Sequence, residues 1–120
     1  VHDRAEAARV WLDRHPQTLL VAKGPHTLVA SADHPFNHNA TGGPAQATAG
    51  MGDLLAGLIG GLLAAGYPPL EATRLAVHWH GLAADLAEQE GGPVVLASEV
   101  ARQLPAAWRS LTGKAVSGFR

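Results

Sequence analysis

Hydrophobic positions along the chain follow two different periods, and the change from one to the other divides it. Residues 3–14 carry Ala7, Ala8, Trp11 and Leu12 at helical spacing, with Asp3 and Glu6 placed as a capping box. His15-Pro16 ends that helix, because the residue before a proline is pushed out of the helical region. Short apolar runs follow. "TLLVA" (18–22) and "HTLVAS" (26–31) predict two strands, and Lys23-Gly24-Pro25 turns the chain between them into a hairpin. "PFNHN" (35–39) predicts a third strand, antiparallel to the second.

After the glycine-rich stretch "ATGGPAQATAGMG" (40–52) the period becomes helical. Residues 52–65 predict a second helix, apolar on nearly every side and so expected to be buried on several. Gly66-Tyr67-Pro68-Pro69 stops it. Residues 70–90 predict an amphipathic helix with Ala72, Leu75, Ala76, Trp79, Leu82, Ala83 and Leu86 inward. Arg74, His78, Asp85 and Glu88 fall on its other face, where Asp85 and Glu88 are expected to be solvated. After Gly91-Gly92-Pro93, Ser98 is expected to cap a last helix that turns Val100, Leu104, Ala107, Trp108 and Leu111 inward and kinks at Pro105. All three tryptophans sit at core spacings, and residues 113–120 are expected to fray. The class is α/β: short hairpin strands first, packed helices after, and a long glycine-rich loop at the junction. A loop of that length usually has a purpose.

Composition narrows the picture. A length of 120 residues allows one compact unit, and 47% hydrophobic with 16% charged residues suits a globular core. The net charge of −1 offers no electrostatic footprint for nucleic acid or an anionic membrane, so neither partner is expected. Absence of cysteine excludes disulfides and thiolate metal sites. The longest apolar run, 54–65, is too short to cross a bilayer, and a cytoplasmic location is expected. The chain opens on Val1 and reads at once as helix, so a piece of a longer polypeptide is expected.

Candidate chemistry gathers at the end of the glycine loop. A helix N-terminus presents backbone N–H groups without acceptors and the positive end of the dipole, which together attract anions. Gly50 and Gly52 put no side chain in the way, so Ala49, Gly50, Met51 and Gly52 are candidates for an anion hole. Asp53 falls in the first turn, where a carboxylate can take a proton from a hydroxyl group while the amides stabilise the resulting oxyanion. A P-loop would need lysine and Ser/Thr after Gly52, and the dinucleotide fingerprint would need glycine at Leu55. Neither is present. From the loop alone, a helix cap and a catalytic base are equally good readings of Asp53. His78 and His80 lie about 200° apart on a helix, too far round to share one ion, and His80 reads as a packed histidine. His34 and His38 have no third ligand nearby, so no metal-ligating set is expected. Asn39 and Thr41 fit nucleotide contact and turn chemistry equally well.

Taken in order, "VAKGPHTLVA", "NATGGPAQATAGMGDLLAGLIGGLLAAG", "PPLEATRLAVHWHGLAADLA" and "VLASEVARQLPAAWRSL" resemble the C-terminal half of the ADP/ATP-dependent NAD(P)H-hydrate dehydratases, a branch of the ribokinase-like superfamily often fused to an N-terminal epimerase domain. The resemblance covers about residues 3 to 112 and implies a three-layer ribokinase-like fold of which residues 1–112 form the C-terminal part. It implies repair of hydrated NADH or NADPH. ADP or ATP, with Mg2+, phosphorylates the ring hydroxyl, and loss of phosphate restores the cofactor. Under the resemblance Lys23, Gly24, Pro25, His26 and Thr27 contact the nucleotide, Gly52 belongs to the anion hole and also contacts it, and Asp53 is the base at the hydrated nicotinamide. Homotetramers are implied as well. Ala22 stands where the family commonly has leucine, and Gly43-Pro44-Ala45 where it has Asn-Pro-Gly. The family domain is over twice as long, so one flank of the second helix is expected to lie open. A small-molecule kinase using the same Asp53, or an inactive nucleotide-binding fragment, are the alternatives.

Overall fold

A computed structural model describes residues 3–43 and 48–113. Pro44 and Ala45, and the tail beyond Gly113 that was expected to fray, lie outside the described residues. The elements in chain order are α1 (Arg4–Arg14), β1 (Leu20–Ala22), β2 (Leu28–Ser31), β3 (His34–His38), α2 (Met51–Ala64), α3 (Pro69–Gly91) and α4 (Ala97–Thr112). The Asp3 carboxylate accepts the Glu6 N–H at 3.1 Å and starts α1. The strands form one antiparallel sheet in the order β1-β2-β3, with Val29 opposite both Val21 and Asn37. Register becomes irregular between Val29 and Ser31.

Strand alternation divides the core in two. Leu28 and Ala30 join Ala8 and Leu12 of α1, with Leu20, Ala22 and Phe36 packed beside them. Val29, one step out of phase, joins Met51, Leu55, Ala76, Trp79 and Val100 on the opposite face, with Val21 alongside. The result is three layers: α1, the small sheet, and the packed helices. Alanines at 72, 76, 83, 84 and 87 on α3 are all buried, and α3 is the helix on which α2 and α4 both rest. Trp79 and Trp108 meet with ring centroids 4.9 Å apart at 58°, and the Trp79 indole N–H donates to the Leu104 carbonyl at 2.8 Å. Trp79→Phe removes that bond and part of the ring; it is expected to lower unfolding free energy by about 1–3 kcal/mol in a urea titration.

Four expectations are corrected. Trp11 is 45% exposed: the face of α1 that packs runs through Ala8 and Leu12, and Trp11 sits one helical step outside it. Its ring lies 4.0 Å from that of His15 and its N–H reaches the Thr18 hydroxyl. Ser98 does not cap α4; the Glu99 carboxylate reaches back to the Leu96 N–H at 2.8 Å and does so instead. The helix α2 is not buried on several sides. Only Met51, Leu55 and Leu62 are buried, while Ala56, Gly57, Gly60, Gly61 and Leu63 are exposed, because the described chain packs one stripe of it. Asp85 is half-buried and hydrogen-bonded, as described below. The last helix continues through Pro105, whose missing N–H takes the i+4 donor from the Ala101 carbonyl. Among the described residues no helix is long and apolar enough to cross a membrane.

Candidate active site

One cavity of about 800 Å³ opens between the sheet and the two helices α2 and α3. That volume falls in the range of small-molecule sites. Its first wall is the β1–β2 turn, Lys23 to Thr27. This turn is held from α1: Arg4 Nη1 donates to the Pro25 carbonyl at 2.8 Å and the His26 carbonyl at 3.2 Å. The Thr27 hydroxyl donates to the Gly24 carbonyl at 3.2 Å, and the Thr27 carbonyl accepts the Asn39 N–H at 2.9 Å. His26 adopts φ +53°, a left-handed conformation uncommon for a residue with a side chain.

The second wall is Asn39 with Thr41, Gly42 and Gly43. The Asn39 amide donates to the Thr41 carbonyl (3.0 Å) and hydroxyl (2.9 Å), and the Thr41 hydroxyl lies 3.0 Å from the His78 carbonyl, to which it can donate. Asn39 Oδ1 is 3.3 Å from His78 Nδ1, which places the proton on that nitrogen if the bond is made. The third wall is the start of α2, with Thr48, Met51, Gly52 and Leu55. Gly50 caps the helix at φ +90°, a conformation that favours glycine, and a Cβ there would stand 3.2 Å from Ala97 Cβ. The Leu54 N–H returns to the Gly50 carbonyl at 3.0 Å. The amides of Gly52 and Asp53, in the first turn, have no intrahelical acceptor. The Met51 N–H donates to the Thr48 carbonyl at 3.2 Å, so this residue shapes the loop rather than offering an open donor. Val77 and His80 of α3 complete the lining.

Lys23 stands directly over Gly52: a Cβ built on that glycine would meet Nζ at 2.7 Å. A cation and the positive end of a helix therefore converge on one point of the wall, the electrostatics of an anion cradle. Lys23, Gly24, Pro25, His26, Thr27 and Gly52, and Asn39 and Thr41 with them, all line this cavity. Ala49, Gly50 and Asp53 do not. Asp53 is exposed, one helical step beyond Gly52. Two residues with no role in the sequence reading also shape the site. Arg4 clamps the first wall, and Asp85 accepts the Gly42 N–H at 3.0 Å. Neither carries a local sequence signal, since their partners are 21 and 43 residues away.

His80 is 4% exposed, and burial, with the Lys23 charge second, holds its pKa below the ordinary 6.5. The neutral ring is thus favoured in the fold. Below pH 6.5 the unfolded chain takes up a proton that the folded chain resists, so stability falls with pH down to the lowered folded value and is level above about pH 7.5. Urea midpoints at pH 7.5 and 5.5 are expected to differ more in the wild type than in His80→Gln.

The three-layer scaffold, with a glycine-floored cavity at a helix start and Lys23 over it, forms a small α/β unit, and the family model and solved structure that match it give it a carbohydrate-kinase-like fold. A family model described as NAD(P)H-hydrate dehydratase matches residues 1–106. This chain belongs to that family. It is 46% identical over 84 residues to the ADP-dependent (S)-NAD(P)H-hydrate dehydratase of Neisseria meningitidis, covering 68% of this chain and 28% of that protein. It is 39% identical over 108 residues to the bifunctional NAD(P)H-hydrate repair enzyme of Moorella thermoacetica, covering 89% of this chain and 19% of that one. The crystal structure of the ADP/ATP-dependent NAD(P)H-hydrate dehydratase of Bacillus subtilis, co-crystallized with ATP/Mg2+, superimposes with a TM-score of 0.83 at 38% identity, covering 90% of this chain and 39% of that one. The chain thus spans well under half the length of the relatives it matches.

Proposed function

We propose that this chain supplies the nucleotide cradle and the catalytic carboxylate of an ADP/ATP-dependent NAD(P)H-hydrate dehydratase, residues 1–112 being the C-terminal part of its ribokinase-like domain. The observation that carries this reading is the convergence of Lys23 Nζ on Gly52 at the start of α2, inside a cavity large enough for a nucleotide. The 23–27 turn and the Asn39–Gly43 wall hold the nucleotide, Lys23 balances its phosphate charge, and the amides around Gly52 receive the transferring group. Phosphoryl transfer asks mainly for placement and charge stabilisation, which this arrangement provides. Asp53 is exposed and lies outside the cavity lining, and in this reading its carboxylate serves the substrate rather than the nucleotide.

Asp53 takes the proton from the hydroxyl of the hydrated nicotinamide ring, whose oxygen then bonds to the terminal phosphorus as the bond to the nucleotide's leaving oxygen breaks. Phosphate next leaves with the electron pair of its carbon–oxygen bond, a neighbouring ring carbon gives its proton to water, and the double bond is restored. Among the described residues no three His, Asp or Glu side chains gather as a metal cage. A Mg2+ here would be held chiefly by the nucleotide's own phosphates and water, as that ion commonly is, and would neutralise their charge. Lys23 in the cavity lining suits such an anion. The assembled enzyme acts on free NADH or NADPH hydrate in the cytoplasm as a homotetramer.

Incubating the intact protein that contains this chain with ADP or ATP, Mg2+ and hydrated NADH tests the reading. The absorbance of the reduced ring is expected to return with one phosphate released per ring restored. Failure of the absorbance to return, with phosphate passing to another alcohol, would mark a small-molecule kinase instead. No turnover by the intact protein, with nucleotide binding alone, would mark a nucleotide-binding protein without this activity.

A further inference from the structure

We propose that Asp85 is a positioning residue that sets the Asn39–Gly43 wall of the cavity and, through it, nucleotide affinity. The inference rests on the nucleotide site proposed above. Three positions on one stripe of α3, His78, Gly81 and Asp85, catch consecutive residues of the loop. The His78 carbonyl accepts the Thr41 hydroxyl at 3.0 Å, and the Asp85 carboxylate accepts the Gly42 N–H at 3.0 Å. Between them Gly81 forms a notch. A Cβ there would collide with the Thr41 hydroxyl and stand 2.8 Å from the Thr41 carbonyl carbon, a backbone atom that has nowhere to retreat without moving the wall. Gly42 adopts φ +84°, so the chain turns sharply where the carboxylate holds it.

The chemistry of the latch is specific. A carboxylate accepting a backbone N–H makes a stronger bond than a neutral acceptor, and a half-buried N–H deprived of its acceptor is costly. Gly42 and Gly43 line the cavity while Asp85 does not, so the carboxylate acts on the ligand only through the backbone it holds. Loss of the latch loosens the nucleotide wall and leaves Asp53 and the α2 start in place.

Calorimetry with ADP, using the intact protein and its Asp85→Ala, Asp85→Asn and Gly81→Ala variants, tests this. Asp85→Ala is expected to raise Kd for ADP about tenfold, in line with the loss of one charge-assisted bond. Asp85→Asn keeps an acceptor oxygen and is expected to remain within about threefold of wild type, and Gly81→Ala is expected to weaken binding as Asp85→Ala does. In turnover, KM for the nucleotide is expected to rise with kcat changed less than about threefold, a split that simple loss of folded protein would not give. If Asp85→Ala does not fold, Asp85→Glu serves in its place, because its longer side chain overshoots Gly42 and is expected to weaken ADP as well. An unchanged Kd in the folded variant, Asp85→Asn as weak as Asp85→Ala, or a wild type that does not bind ADP would overturn the proposal. Binding of ADP without restoration of NADH would sink the assigned reaction and leave the Asp85 inference to stand on its Kd ratios.

Discussion

Asp53→Asn is expected to reduce kcat by about three orders of magnitude or more while leaving the affinity for ADP nearly unchanged. The amide matches the carboxylate in size and keeps an acceptor oxygen, but it cannot take the proton of the ring hydroxyl. Asp53 is exposed and absent from the cavity lining, so the substitution disturbs neither the Lys23–Gly52 cradle nor the 23–27 turn. At the start of α2 a carboxylate also complements the helix dipole, an effect of about 0.3–1 kcal/mol on stability. That is too small to account for a thousandfold loss of turnover. Steady-state rates beside ADP calorimetry separate the two. A variant that keeps more than a tenth of the wild-type kcat would show that Asp53 is only a cap.

Gly52→Val is expected to weaken ADP binding by at least about a hundredfold. The Cβ of any larger residue meets Lys23 Nζ at 2.7 Å, and the branched side chain of valine fills the point where cation and helix start converge. Folding has less to lose. The clashing atom is the far end of a flexible side chain, and valine in place of glycine in a helical turn carries no intrinsic penalty. A melting temperature near that of wild type with binding lost is therefore the expected pair of results. Unaltered ADP affinity would place the phosphates elsewhere.

The residues on either side of the Lys23–Gly52 approach were readable because their signals are local. Glycine at 50 and 52 before an apolar helix, and Lys-Gly-Pro between two short apolar runs, each fix a turn within a few residues. The structure brings Lys23 and Gly52 to the same point although they lie far apart in the chain, a meeting that spacing alone does not give. Family resemblance supplied that link. Helix and strand order also followed from periodicity, with ends displaced by a residue or two.

What stayed hidden depends on packing between distant segments. Asp85 looks like an ordinary solvated carboxylate until the 40–43 segment is laid against α3, and Gly81 looks like a mild helix weakener until Thr41 is seen seated against it. Arg4 belongs to the same class, a helix side chain whose purpose is fixed by the β1–β2 turn 21 and 22 residues away. Trp11 misled for the opposite reason. Periodicity locates an apolar face within a step of helix rotation, and at α1 the packing stripe passes through Ala8 and Leu12 instead. The exposed flank of α2 was expected from the resemblance, and it agrees with a chain that spans only part of its relatives.

The central claim is that backbone amides at the start of α2, with Lys23 above them, grip the phosphates of a nucleotide. Amide chemical shifts recorded by NMR during an ADP titration test it most directly. The account predicts saturable shifts largest at Lys23, Gly24, His26, Thr27, Gly52 and Asp53, and their loss in Gly52→Val. Shifts confined to other parts of the chain, or none at millimolar ADP, would contradict it.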